Sequence, residues 1–120
     1  MSQTTYPKMN KRIKTKWLKA LRGEAKEGPY RQANNGSLHT TINPKTGEDD
    51  GIDRFCCLGV LANICNLEGG LDGQDAVYGG YAQPAFEWAG LDWTTAHRLA
   101  DMNDGGKRFA TIANWIEENL

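Results

Sequence analysis

The stretch Phe55-Cys56-Cys57-Leu58-Gly59-Val60-Leu61-Ala62-Asn63-Ile64-Cys65-Asn66-Leu67 decides the fold of this chain. From Cys57 to Leu67, apolar side chains fall on nearly every side of a helical wheel, which is typical of a helix that is buried all round. Gly59 inside such a helix costs up to about 1 kcal/mol relative to alanine, so we expect another element to pack closely there. The sequence therefore predicts a central helix around which the rest of the chain packs.

Helices are predicted on both sides of this central helix. Residues 10–21 carry apolar side chains at three- and four-residue spacing, which predicts an amphipathic helix. Towards the other end, three short helices are predicted: residues 85–89, residues 93–102 capped by Asp92, and a last helix that begins near Phe109. These periods predict a buried core that includes Trp17, Leu58, Leu61, Ile64, Ile112 and Ile116.

A small amount of β structure is predicted between the first helix and the central one. Tyr30–Ala33 and Leu38–Ile42 flank Asn34-Asn35-Gly36, and Asn-Gly favours the backbone angles of a tight hairpin turn. Ile52–Phe55 is a candidate third strand. We therefore predict an α+β fold, a helix-rich single domain (residues 1–120) with a small β-hairpin or three-stranded sheet around a buried central helix. Residues 1–9 are expected to form a flexible N-terminal segment.

Charge is distributed unevenly along the chain. The net charge is −1, yet seven of the 14 basic residues lie between Lys8 and Arg22, and no acidic residue precedes Glu24. The overall balance disfavours a protein that grips nucleic acid through many phosphates. The basic first helix keeps nucleic-acid binding as an alternative function, although a solvated helix face explains it as well.

Cysteine usage and hydropathy indicate the compartment. Three cysteines, two of them adjacent, do not make a disulfide framework and suit a reducing cytosol. No stretch approaches the roughly 20 apolar residues of a membrane span, and no apolar run follows Met1 as in a signal peptide. We expect a cytoplasmic protein with no membrane partner.

The cysteines also raise the question of catalysis. Their spacing lacks the Cys-x-x-Cys pattern of metal sites, so neither a metal nor a cofactor is predicted. A cysteine-dependent hydrolase or transferase is the enzymatic alternative: Cys56 lies near the start of the central helix, where the helix dipole lowers a thiol pKa, and His39 or His97 would be the base. Because no local pattern completes a catalytic constellation, we predict no catalytic residue and expect binding rather than catalysis.

Several polar residues are not obviously needed by the predicted fold and form the candidate site for a ligand or partner. Arginines suit phosphates, a tyrosine can stack on a base, and Asn and Asp side chains can recognise polar groups. The candidates are Arg22, Tyr30, Gln32, Arg54, Asn103 and Asp104. They belong to different elements, so a single site requires the predicted hairpin, the start of the central helix and the Asn103–Gly106 turn to converge. Of the tryptophans, Trp17, Trp88 and Trp93 are predicted to be in the core and Trp115 to be partly exposed.

Several blocks of the chain resemble a recurrent pattern in small proteins of tailed phages and prophages for which no activity is established. The resemblance covers almost the whole chain in the same order. The blocks are Trp17-Leu18-Lys19-Ala20-Leu21-Arg22, Tyr30-Arg31-Gln32, Phe55-Cys56-Cys57-Leu58-Gly59-Val60-Leu61, Glu87-Trp88-Ala89-Gly90-Leu91, Leu99-Ala100-Asp101-Met102-Asn103-Asp104, Phe109-Ala110-Thr111-Ile112-Ala113 and Ile116-Glu117. The chain departs from that pattern at Ala62-Asn63, where Cys-Asp is frequent, and at Arg108, where a capping Ser is frequent. It also departs at Arg22-Gly23, where the first helix commonly ends in Arg-Ser-Gly.

The resemblance implies a phage setting and hence the host cell cytoplasm, without implying a mechanism. From it we expect an accessory protein that acts by stoichiometric binding, for instance in counter-defence or host takeover. A host protein and a small anionic, nucleotide-like ligand are the two expected partners. A homodimer would be a natural way to enclose such a ligand between subunits.

Overall fold

The computed structural model describes residues 8–25, 30–33, 39–67 and 83–120. It confirms the α+β class: a helix-rich fold with a three-stranded sheet. The helices are α1 (Lys11–Leu21), α2 (Cys57–Leu67), α3 (Gln83–Ala89), α4 (Trp93–Asp104) and α5 (Phe109–Asn119), and the strands are β1 (Arg31–Gln32), β2 (His39–Ile42) and β3 (Asp49–Phe55).

Helix α2 forms the centre of the core, as its sequence predicts. Val60 and Leu61 have no exposed surface, and α1, α3, α4 and β3 all contact the helix. Trp17 of α1 is equally buried, and its indole Nε1 donates a hydrogen bond of 2.9 Å to the carbonyl oxygen of Cys57, so its single polar atom is satisfied. The predicted core is confirmed for all six of its residues, Trp17, Leu58, Leu61, Ile64, Ile112 and Ile116.

Side-chain caps fix where two of the helices begin. Asn10 precedes α1, and its Oδ1 accepts hydrogen bonds from the amides of Arg12 (3.0 Å) and Ile13 (3.2 Å). Asp92 caps α4 as predicted, by accepting from the Thr95 amide at 2.8 Å. Such caps satisfy amides that have no partner within the helix.

Helix α4 extends two residues beyond its predicted end at Met102. Asn103 and Asp104 therefore lie in its last turn and not in the connection between helices, as predicted. Thr95, Leu99 and Asn103 are buried and follow one another at four-residue spacing, so Asn103 continues the buried stripe of the helix.

The sheet has the strand order β1–β3–β2. Strand β3 runs parallel to β1, with Gln32 opposite Phe55, and antiparallel to β2, with His39 opposite Phe55. The predicted hairpin between β1 and β2 is therefore wrong, because these strands lie on opposite edges of the sheet. The hairpin joins β2 to β3 instead, and its turn is closed by the hydrogen bond from the Asn43 amide to the Glu48 carbonyl oxygen (2.7 Å). Residues 34–38, including the predicted Asn34–Gly36 turn, lie outside the described residues.

The chain entering α1 packs against the end of α3. Met9 is buried in the core, and the amide of Asn10 donates to the Ala89 carbonyl oxygen at 2.9 Å. Gly90 has a φ of +90°, and a Cβ there would lie 3.1 Å from the Met9 Cα, so this close approach requires glycine. Residues 1–7 of the predicted flexible segment lie outside the described part of the chain.

The tryptophans divide between core and surface. Trp17 is in the core as predicted and Trp88 is partly buried, and Trp115 is partly exposed as predicted. Trp93 is 47% exposed, so its predicted place in the core is wrong. Among the helices that the structure describes, none has the length and apolar character to cross a bilayer.

Candidate binding site

Asn103 joins three elements at the centre of the candidate site. It has no exposed surface, and its Oδ1 accepts from the Cys57 amide at the start of α2 (3.2 Å) and from Gln32 Nε2 of β1 (2.9 Å). Its Nδ2 donates to the Ala33 carbonyl oxygen (2.6 Å) and makes a longer contact with Asp104 Oδ1 (3.4 Å). A buried amide with partners for both its oxygen and its nitrogen is a stable arrangement, because no polar atom has lost water without replacement.

Gln32 extends this network to the start of α5. Besides Asn103, its Nε2 donates to the Lys107 carbonyl oxygen at 2.7 Å, and its Oε1 accepts from the Phe109 amide at 3.2 Å. Arg108 occupies the N-cap position of α5 but forms no side-chain cap. Gln32 thus satisfies, from strand β1, the first amide of α5, which an N-cap side chain at position 108 would not reach because such caps accept from the second or third amide of the helix.

Strand β1, the start of α2 and the end of α4 therefore converge here, although β1 is not part of the predicted hairpin. We call the group formed by Gln32, Ala33, Cys57, Asn103 and Phe109 the junction. Within the junction, the hydrogen bonds of Asn103 and Gln32 hold separate elements of the fold together. The prediction that the fold does not need these two side chains is therefore wrong. Asp104, next to Asn103 in the chain, is exposed.

Tyr30 lies close to the sheet, with its hydroxyl turned towards α2. The hydroxyl oxygen accepts from Asn63 Nδ2 at 2.6 Å, and the ring meets the Phe55 ring edge-on, with 5.2 Å between centroids. Asn63 of α2 thus serves as the hydrogen-bond partner of this tyrosine. Tyr30 is only partly buried.

Arg54 is tied to the hairpin of its own strand. Its two terminal nitrogens donate to the two carboxylate oxygens of Asp50, at 3.0 and 2.8 Å, and one of them also reaches the Ile52 carbonyl oxygen. The bidentate pair with Arg54 is the main reason why the pKa of Asp50 lies far below its usual value, and the Ile52 amide adds to it. The guanidinium therefore already holds an anion, that of Asp50.

Arg22 lies at the contact between α1 and α5. Its guanidinium donates to Asn114 Oδ1 (3.0 Å) and forms an ion pair with Glu117, which lowers the pKa of that carboxyl group. Of the six candidate residues, Gln32, Asn103 and Asp104 thus meet at or beside the junction, whereas Arg22, Tyr30 and Arg54 have their contacts elsewhere.

Burial decides the chemistry of the cysteines. Cys56 is 6% exposed, and desolvation raises its pKa even though the amides of Gly59 and Leu58 act in the opposite direction. Cys57 is fully buried, donates to the Leu99 carbonyl oxygen at 3.5 Å, and has a pKa well above its usual value for the same reason. The predicted lowering of the Cys56 pKa by the helix start is therefore wrong, because desolvation of the thiolate outweighs the helix amides.

The two histidines face aspartates. His39 Nε2 lies 2.7 Å from Asp53 Oδ1 on the exposed hairpin, and His97 Nδ1 lies 3.5 Å from Asp101 Oδ2 on α4. The enzymatic alternative needs one of them beside Cys56 as a base. Within the described residues, neither histidine forms a hydrogen bond with Cys56, whose sulfur accepts from the Gly59 amide at 3.3 Å.

An exposed face of α4 is a site that the sequence analysis missed. Six residues lie in two adjacent rows along this helix, and we call them the α4 face: Trp93, Thr94, His97, Arg98, Asp101 and Met102. All but Trp93 line an open groove of about 470 Å³. Trp93 lies at its end, 6.3 Å from the His97 ring, and the Arg98 guanidinium lies 5.8 Å from the centre of the Trp115 ring. The four-residue spacing from Trp93 through His97 to Asp101 is the signal that could have revealed this face.

Comparisons with known proteins add no assignment. No family model, no curated protein and no solved structure matches the chain. Within the described ranges, no group of three or more His, Cys, Asp or Glu side chains is placed to hold a metal ion.

Proposed function

We propose that this protein is a small phage-encoded accessory protein that acts by stoichiometric binding of a host protein, in counter-defence or host takeover. The phage setting rests on the resemblance of the sequence motifs. The binding mode rests on one observation, the α4 face, where a half-exposed tryptophan adjoins an open groove.

The chemistry of this face suits a protein partner. Tryptophan and arginine are the side chains most enriched among those that dominate the binding energy of protein interfaces. Trp93 provides a large apolar surface, and Arg98 and Asp101 provide charges of both signs beside it. Trp93 is one of three large apolar side chains that are exposed in the described part of the chain, the others being Ile42 and Ile52.

The test is native mass spectrometry of the protein taken directly from infected cells. We expect a co-purifying host polypeptide in a fixed ratio to this chain, lost in Trp93→Ala because the anchor of the interface is removed. Ile52→Ala is the matched control, since Ile52 is also a large apolar side chain exposed on the surface, and it should retain the polypeptide. Loss in both variants, or in neither, would contradict the assignment to the α4 face.

A small anionic ligand is the second candidate, and a different observation favours it. Lys107 and Arg108 are exposed in the connection between α4 and α5, directly beside Gln32, and Arg31 is exposed on the adjoining edge strand. These three exposed cations belong to the segments that form the junction or adjoin it. In the same mass spectra, a retained small mass that disappears in Lys107→Ala/Arg108→Ala would favour this candidate over the host protein. If neither a polypeptide nor a small mass is retained, both candidates are wrong.

A further inference from the structure

Met102 is the most accessible sulfur-containing side chain in the described part of the chain. It is partly exposed and lines the groove of the α4 face. Four others are at most 6% exposed: Met9, Cys56, Cys57 and Cys65. Met1 lies outside the described residues. Because oxidation of sulfur follows its exposure, Met102 is the first of these five side chains to react with an oxidant that is dissolved in water.

The cysteines do not compete with Met102 for a peroxide. A peroxide reacts with the thiolate form of cysteine and hardly with the thiol. Desolvation by burial raises the pKa of Cys56 and places that of Cys57 well above its usual value, so both thiolates are scarce at neutral pH. The thioether of methionine has no proton to lose, so its oxidation needs no such ionisation.

The apolar character of the groove depends on Met102. Among the described residues that line the groove, the other four are polar or charged: Thr94, His97, Arg98 and Asp101. The Met102 side chain also packs against the core, and its three rotatable bonds allow the sulfur to turn towards the groove without a movement of the backbone. Methionine serves in this way at binding surfaces that adapt to a partner.

Oxidation of this one side chain changes the chemistry of the groove. Hydrogen peroxide transfers one oxygen atom to the thioether: the O–O bond breaks, an S–O bond forms and water leaves, so that sulfur loses two electrons and the peroxide gains them. The product, methionine sulfoxide, is polar, and the groove then has no apolar side chain among its described residues. A partner that covers the groove has to remove water from the sulfoxide oxygen, which is unfavourable unless a donor replaces that water.

The backbone at Met102 is held by contacts that oxidation leaves in place. The Lys107 amide donates to the Met102 carbonyl oxygen at 3.0 Å, and the next residue, Asn103, is anchored in the junction by hydrogen bonds to Cys57 and Ala33. We therefore expect oxidation to change the groove while the helices around α2 keep their packing.

We propose that Met102 is a reversible oxidation site that controls the α4 face: the thioether form binds the host protein, and the sulfoxide form releases it. Methionine sulfoxide reductase restores the thioether with two electrons from a dithiol, which becomes a disulfide while the oxygen leaves as water. This inference rests on the proposed function, because it concerns the regulation of the same face.

The first experiment measures oxidation without any partner. The full chain is treated with hydrogen peroxide at neutral pH, once folded and once unfolded in urea, and mass spectrometry of its peptides measures the sulfoxide at each methionine over time. In the folded protein, Met102 should react within about fivefold of its unfolded rate, whereas buried Met9 should react at least about tenfold more slowly than Met102. Amide exchange in α2 should be the same before and after oxidation.

The second experiment measures binding. The complex with the host polypeptide, taken from infected cells, is treated with hydrogen peroxide and analysed by native mass spectrometry. The bound fraction should fall at least about tenfold and return after treatment with methionine sulfoxide reductase. The matched control is Met102→Leu, which conserves volume and apolar character and should bind before and after peroxide. This control also detects oxidation of the host polypeptide itself, and Met9→Leu should respond to peroxide as the wild type does.

Each experiment can overturn the proposal separately. Equal rates for Met102 and Met9 in the folded protein would show that Met102 is not an accessible oxidation site. A wild-type complex that survives full oxidation of Met102, or a Met102→Leu complex that dissociates as the wild type does, would refute its control of the α4 face. If no complex forms before treatment, the proposed function fails and the control of binding with it, whereas the oxidation rates still decide whether Met102 is an oxidation site.

Discussion

The junction and the ribbon, which is formed by β2, β3 and their connection (residues 39–55), are both rich in hydrogen bonds, but they use them in opposite ways. At the junction, Asn103 and Gln32 bind partners that are 46 to 77 positions away in the chain, and the central amide is fully buried. In the ribbon, Asp50 bonds to Asn43, Ile52 and Arg54, which are at most seven positions away, and its side chain is 25% exposed. Polar side chains at the junction thus hold distant elements together, whereas those in the ribbon only shape a local hairpin. Substituting a polar side chain should therefore lower the free energy of unfolding strongly at the junction and only slightly in the ribbon.

The largest effect is expected for Asn103→Ala. The substitution leaves the buried Cys57 amide and the Ala33 carbonyl oxygen without their partner, and two such groups at about 1–3 kcal/mol each predict a loss of about 2–6 kcal/mol in the free energy of unfolding. Urea denaturation measures this loss. Leu61→Ala, expected to cost about 2–5 kcal/mol, gives the scale for a buried side chain of α2.

Asn119→Ala provides the control for that experiment. Asn119 is exposed at the end of α5, and its amide bonds only to a carbonyl oxygen one turn away. A change within about 0.5 kcal/mol is expected there. Equal losses for Asn103→Ala and Asn119→Ala would mean that the junction does not hold the fold together.

The second expected effect is the protection of the three buried cysteines. Because Cys56, Cys57 and Cys65 are buried and burial raises the pKa of Cys56 and Cys57, iodoacetamide should label the native protein at least about a hundredfold more slowly than the urea-unfolded chain at neutral pH. Mass spectrometry of timed samples measures the rates. Rapid labelling of Cys56 alone in the native protein would restore the enzymatic alternative.

A smaller loss is expected for Gln32→Ala. The Phe109 amide loses its acceptor, and a lost helix cap costs about 0.5–2 kcal/mol. Adding Arg108→Ser should recover part of that loss, because position 108 has the extended backbone of an N-cap and serine can accept from the first turn of α5. A double-mutant cycle in urea measures the recovery. If serine gives no stabilisation in either background, position 108 does not accept from the first turn of α5.

The smallest global effect is expected for Arg54→Ala. Removing the guanidinium should let the Asp50 pKa return towards 3.8, which carboxyl chemical shifts in an NMR titration can measure. The folded pKa of Asp50 is lowered by Arg54, so the ion pair stabilises the ribbon above the unfolded pKa of about 4 and is lost as the pH falls through the folded value. Amide exchange should therefore rise around Ile52 at neutral pH but stay unchanged in α2. Faster exchange throughout α2 would show that the ribbon supports the core.

Local signals in the sequence predicted the helices well. The range of α2, the Asp92 cap and the amphipathic period of α5 all depend on residues within one or two turns of each other. The prediction for Trp93 is wrong because this residue lies outside the buried face of α4. The buried stripe of α4 is Thr95, Ala96, Leu99 and Asn103, and Trp93 lies roughly 100° from its centre.

The pairing of β1 and the role of the junction could not be predicted in this way. An Asn-Gly turn indicates a hairpin between neighbouring segments, but β1 pairs in parallel with a strand more than 20 positions further on. That pairing depends on Asn103 and Gln32, whose partners are set by the packing of α2, α4 and α5. The candidate residues are polar side chains for which the neighbouring sequence shows no structural role. Side chains whose structural partners are distant in the chain meet the same criterion.

The Asn103 amide has a further consequence for how this sequence can vary in evolution. Only an amide of this length donates to one backbone group and accepts from another at the same place, so aspartate, serine and leucine all lose at least one of its bonds. An alignment of related chains should therefore show an invariant Asn at this position and a Gln at position 32 that varies together with position 108. Such invariance would resemble the signature of an active site, yet here it would record selection for a folded chain.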